Sequence, residues 1–74
     1  PGAWFLFQGE RYKVLKATLS DLNGQPGTVL DTNLTIASGN KSITIQEIQK
    51  QGKNIQKATE FLLGSKIKKD LLLS

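Results

Sequence analysis

Residues 11–20 read Arg11-Tyr12-Lys13-Val14-Leu15-Lys16-Ala17-Thr18-Leu19-Ser20, and their apolar phase decides the fold. Tyr12 and Val14 alternate with cations, the pattern of a strand with one buried face. The alternation then slips, and Leu15, Ala17 and Leu19 carry the apolar side chains one position out of step. Side chains on a strand repeat every two residues, so a slip of one requires a bulge or a sharp bend near Val14–Leu15. Such a bulge leaves Lys13 and Lys16 on one face. Ser42–Gln49 repeats the slip, with Ile43 and Ile45 in step and Ile48 out. Two slips in so short a chain predict a sheet that curls toward a barrel.

Turn signals bound these two strands and divide the rest. They are Gln8-Gly9, Asn23-Gly24-Gln25-Pro26-Gly27, Ser38-Gly39-Asn40, Gln51-Gly52 and Gly64. Gly and Asn supply the positive φ angles of tight turns. Ala3–Phe7 is apolar at nearly every position and reads as a strand covered on both faces. Thr28–Leu30 and Leu34–Ala37 read as short strands joined by Asp31-Thr32-Asn33. One segment has helical spacing: Ile55, Ala58, Thr59 and Leu62 fall at i, i+3, i+4 and i+7, with Asn54 as N-cap and Gly64 as the C′ residue. Ile67 and Leu71–Leu73 would supply a closing strand, with Lys66, Lys68 and Lys69 around it. The expectation is a mainly all-β domain over residues 1–74. It would be an open Greek-key barrel of about six short strands, similar to the oligonucleotide-binding barrel, with one short helix near 55–63.

Composition narrows the chemistry. The chain has 74 residues, ten Lys+Arg against six Asp+Glu, a net charge of +4, and no His, Cys or Met. There is no disulfide framework, no thiol nucleophile and no imidazole base, and zinc loses its usual ligands. Hydroxyl nucleophiles lack their common bases, leaving a Ser–Lys pair as the one open route. Gly24–Gly27 has neither the length nor the following Lys-Ser/Thr of a phosphate loop. No apolar run approaches the ~20 residues of a membrane-spanning helix. The chain starts at Pro1 rather than at Met, as expected of a piece cut from a longer polypeptide.

What remains is binding. Nine of the ten cations are Lys, with Arg11 the exception. A solvated basic surface and a polyanion partner both explain this charge. Arg11, Lys13 and Lys16 on the long strand favour nucleic acid. Trp4, Phe5 and Phe7 sit in a dense apolar run and, with Phe61, are expected in the core. Tyr12 is the aromatic best placed for exposure. A domain with few exposed aromatics should prefer structured RNA backbone to splayed single strands.

The ordered motifs resemble one family. They are Pro1-Gly2-Ala3-Trp4-Phe5, Gly9-Glu10-Arg11-Tyr12-Lys13-Val14-Leu15-Lys16-Ala17, Pro26-Gly27-Thr28-Val29-Leu30, Leu34-Thr35-Ile36-Ala37-Ser38-Gly39-Asn40 and Ile48-Gln49-Lys50-Gln51-Gly52-Lys53. In order and spacing they look like the C-terminal domain of the methionyl-tRNA formyltransferase family. The resemblance implies an enzyme that transfers a formyl group from 10-formyltetrahydrofolate, a substrate, to methionyl initiator tRNA. It implies that the catalytic residues and folate site lie in an N-terminal domain, so no catalytic residue, cofactor or metal is expected within these 74 residues. The implied partners are initiator methionyl-tRNA and the catalytic domain of the same chain, with no membrane, in a monomeric, cytoplasmic, bacterial enzyme of translation initiation.

Carried over by position, Lys13 and Lys16 match the family's basic pair, and Gln49, Gly52 and Lys53 its Gln-x-x-Gly-Lys segment. Arg11, Lys13, Lys16, Lys50 and Lys53 are therefore the expected RNA-binding set. The family usually starts its helix with Ser, where this chain has Lys57, a poor cap. Lys68-Lys69-Asp70 replaces a Gly and Pro often seen in the tail. Lipid A-modifying and formyltetrahydrofolate-processing enzymes keep a similar barrel. The alternative reading is accordingly a structural barrel packed on a catalytic domain, without contact to nucleic acid. A third is a barrel that recruits protein through an apolar patch.

Overall fold

A computed structural model describes residues 3–73. The element order is β1 (Trp4–Phe7), β2 (Glu10–Ser20), β3 (Thr35–Ala37), β4 (Ser42–Lys50), β5 (Ile55–Lys57) and α1 (Ala58–Gly64). All strand pairs are antiparallel, in the order β1-β2-β4-β3, with β5 sharing the second edge of β4. Gln8 and Gly9 both take positive φ (54° and 78°), the geometry of a two-residue hairpin whose twist matches its strands.

The two slips are real bulges, and they are matched. Val14 pairs with Ile48 and Lys16 with Glu47, so Leu15 is an extra residue on β2. Lys16 pairs with Glu47 and Ala17 with Ile45, so Gln46 is an extra residue on β4. One excess cancels the other, and the sheet bends sharply between them into an open half-barrel.

The concave face holds the core. Phe5, Tyr12, Ile45 and Ile48 line it with Val29, Leu34, Ala58, Phe61, Ile67 and Leu73. Tyr12, the aromatic best placed for exposure on sequence, is buried. Its ring stacks on Phe5 at 5.3 Å between centroids and meets Phe61 edge-on at 5.3 Å. Such aromatic pairs add about 0.5–1.5 kcal/mol each beyond area burial.

Three expectations change in the second half. The helix begins at Ala58 and not after Asn54; Lys57 holds the N-cap position and makes no side-chain cap. Ile55–Lys57 is instead drawn into β5 by pairing with Glu47, Ile48 and Gln49. Ladder hydrogen bonds to an existing edge outweigh one marginal helical turn. Gly64 ends the helix as a helical residue and takes no positive φ, so it is not a C′ glycine. Thr28–Leu30 and the tail form single bridges, Val29 to Ile36 and Thr28 to Leu72, in place of full strands. The tail nevertheless closes the barrel mouth: Leu73 N–H donates to Gly27 O at 2.8 Å, and Val29 N–H to Leu71 O at 2.8 Å.

The link before β3 is stapled by one carboxylate. Asp31 Oδ1 accepts from the N–H of Asn33 (2.8 Å) and of Thr35 (3.1 Å), and Oδ2 accepts from Thr35 Oγ1 (2.8 Å). Burial alone pushes this carboxyl up. The hydrogen bonds from Thr35 and Asn33, with the nearby Lys69 ammonium, outweigh it and hold the group below its ordinary value of 3.8. No helix among the described residues is long and apolar enough to cross a membrane.

Candidate nucleic-acid interface

Directly paired residues on neighbouring strands share a face of the sheet. The pairing therefore sorts the candidate cations without further assumption. Tyr12 and Ile48 point into the core, so Lys13, paired with Gln49, points outward. Lys16, paired with Glu47 beyond the bulge, points outward as well. Arg11 pairs with Leu6 on β1 and joins them on the convex face. The bulge at Leu15 is what keeps Lys13 and Lys16 together; a regular strand would place them on opposite faces.

Lys53 approaches from the β4–β5 turn. Gly52 takes φ 81° there, a conformation open to glycine at little cost. Gln49 Nε2 donates to Lys53 O at 3.0 Å, and Gln51 N–H donates to Arg11 O at 2.9 Å. The Gln-x-x-Gly-Lys segment is thus a self-fastened turn, docked on β2 beside Arg11. Arg11, Lys13, Lys16 and Lys53 are all exposed. Lys50 does not join them. It pairs with Tyr12 on the concave side, is half-buried, and lines a different cleft with Lys66, Glu60 and Gln56.

Two residues of this face were not anticipated. Lys57, expected in a helix, pairs with Glu47 on β5 and extends the Lys16 row. Trp4, expected in the core, is 49% exposed. The guanidinium carbon of Arg11 lies 4.2 Å from its ring centroid, a cation–π contact. The signal for Trp4 was present in the alternation: Phe5 and Phe7 face Tyr12, so Trp4 and Leu6 must face away. Glu47 is the one acid in these rows, and among the described residues it forms no ion pair within 4 Å. Lys41–Asp21, at 3.7 Å, is the ion pair found among the described residues. No group of three or more acidic side chains converges there to hold a metal ion.

A family model described as "Formyl transferase, C-terminal domain" matches residues 1–66. The chain belongs to that family. Among curated relatives, it is 54% identical over 68 residues to the methionyl-tRNA formyltransferase of Pelagibacter ubique, covering 90% of this chain and 22% of that protein. It is 45% identical over 73 residues to that of Paramagnetospirillum magneticum, covering 99% of this chain and 24% of the relative. With that of Ruegeria pomeroyi it shares 47% over 64 residues, 86% of this chain and 21% of the relative. The chain thus spans less than a quarter of the relatives it matches. For a formyl transferase C-terminal domain, the curled sheet, short helix and basic convex face form one frame. The strand register and the bulge put Arg11, Lys13 and Lys16 on one side, and the β4–β5 turn that carries Lys53 is fastened beside them through its backbone.

Proposed function

We propose that this chain is the accessory tRNA-binding domain of a methionyl-tRNA formyltransferase. Its convex face would hold the RNA backbone while the rest of the enzyme moves a formyl group from 10-formyltetrahydrofolate onto methionyl initiator tRNA. The observation that supports this most is the placement of Arg11, Lys13 and Lys16 on one face of β2, with the turn that carries the exposed Lys53 fastened to Gln49 and to the Arg11 backbone. Lysine and arginine contacts to phosphates position RNA without reading its sequence. Lys50, on the other side of the sheet, is left out of the set. The enzyme would be a cytoplasmic, monomeric bacterial protein of translation initiation, with the catalytic residues outside these 74.

Titration with tRNA at increasing salt tests the proposal. Three to five phosphate contacts give a log K against log salt slope of about −2 to −4, and an affinity for the isolated domain on the order of 10⁻⁴–10⁻⁶ M. Replacing both Lys13 and Lys16 by Ala should make the slope shallower by about 2. A flat salt response sinks the proposal.

A second reading draws on other residues. Leu15, Leu19 and Leu22 on and after the second half of β2 are 38%, 81% and 47% exposed. Apolar exposure of this kind suits a contact with another part of an enzyme more than four times as long. In this reading the barrel packs on the catalytic domain. The two are compatible, because these leucines and the cations are separate sets of residues.

A further inference from the structure

The exposure of Trp4 removes the premise on which structured RNA backbone was expected to be preferred over splayed single strands. β1 and β2 place the indole beside Arg11 and Lys13, and the β4–β5 turn adds Gln49, Gln51 and Gly52. Together these six residues line an open cleft of about 520 Å³, within the size range of small-ligand sites. Its wall is an indole with a guanidinium stacked against it at 4.2 Å. Both are flat groups on which a nucleobase stacks in either orientation. Lys13 and Gln51, both exposed, add an ammonium and an amide to its lining. Gly52 leaves the floor open: a Cβ built there meets nothing within 4 Å.

We infer that this cleft receives a single unstacked nucleotide of RNA, its base against the Trp4–Arg11 pair and its phosphate against Lys13. The inference rests on the RNA-binding reading above and sharpens its ligand. The domain takes RNA that offers a looped-out or unpaired base beside a helix, in preference to uninterrupted duplex. The Gln51 amide, with donor and acceptor, is the group that meets the base edge. The Arg11–Trp4 contact pre-orders the wall, since the guanidinium is already stacked before the ligand arrives.

The experiment uses two RNAs of equal length and charge, a blunt duplex and a stem with a single-stranded loop. Trp4 is the only tryptophan of the 74-residue chain, so its emission reports stacking directly. The loop RNA should quench Trp4 and bind about 5- to 100-fold more tightly than the duplex. Trp4→Leu should erase that preference by weakening the loop RNA far more than the duplex. Trp4→Phe should restore part of the preference, which a mere loss of folding would not allow. Equal affinity for the two RNAs, or loop binding without quenching, overturns the inference and leaves the phosphate-contact proposal standing. Failure of both RNAs to bind overturns the two together. A preference seen in this chain but absent from a full-length enzyme carrying it would assign the Trp4 face to the enzyme's own chain, and also overturns the inference.

Discussion

Asp31 accepts three hydrogen bonds within one tight link, and two of them come from Thr35. Its folded-state pKa is lowered, so the carboxylate form is favoured by folding. The contribution is complete above the unfolded value of 3.8 and is lost as pH falls through the folded value. Melting temperature should therefore drop on acidification through this window, and Asp31→Asn should flatten that part of the profile. An unchanged profile would place the acid sensitivity elsewhere. At the same scale, Trp4 and Tyr12 show how far single residues could be read. Both are aromatic; Tyr12 sits between Arg11 and Lys13, and Trp4 sits in an apolar run. Tyr12 is inside because it shares the buried face of β2 with Val14, opposite Phe5 and Lys50, as its alternation with cations already implied. Trp4 is outside because it alternates with Phe5 and Phe7, and its pairing with Lys13 fixes that face.

Helix α1 has seven residues, Lys57 at its N-cap without a side-chain bond, and no basic residue in its last turn. A helix this short holds by packing Ala58 and Phe61 rather than by propensity. Lys57 also places a positive charge beside the positive end of the helix dipole. Lys57→Ser should therefore stabilise the domain by about 1 kcal/mol, measured by urea denaturation. No gain would mean that the β5 pairing, and not the cap, limits this end. The bulged strands were legible in sequence because a broken period of two leaves a mark that local chemistry can carry. The helix start was not. Ile55 fits the apolar stripe of a helix as well as it fits a strand, and β4's free edge chose between them. The cationic set was legible on β2, where the bulge fixes the face. The face of Lys50 was not legible, because the strand continues one residue further and places it on the side of Tyr12 and Ile48.

Across the whole molecule, closure depends on the C-terminal tail docking at Gly27, where Leu73 N–H donates to Gly27 O. Its φ is +90°, and a Cβ there would lie 2.9 Å from Leu73 O. Gly27→Ala should cost roughly 1–3 kcal/mol through backbone strain, with the contact adding to it. The denaturation midpoint reads this directly. A midpoint equal to the parent's would show that the tail docks without a fixed geometry. The same substitution at Gly9 meets no atom, though it too strains a positive φ. The matched bulges carry a different kind of consequence. Leu15 adds one residue to β2 and Gln46 adds one to β4, so three steps on one strand still answer three on the other. Deleting either residue alone would turn half of a strand inside out. Deleting both would keep every remaining pair and flatten the sheet. Over evolutionary time a length change in β2 is thus viable only with its counterpart in β4, and alignments of relatives should show gaps at these two positions arriving together.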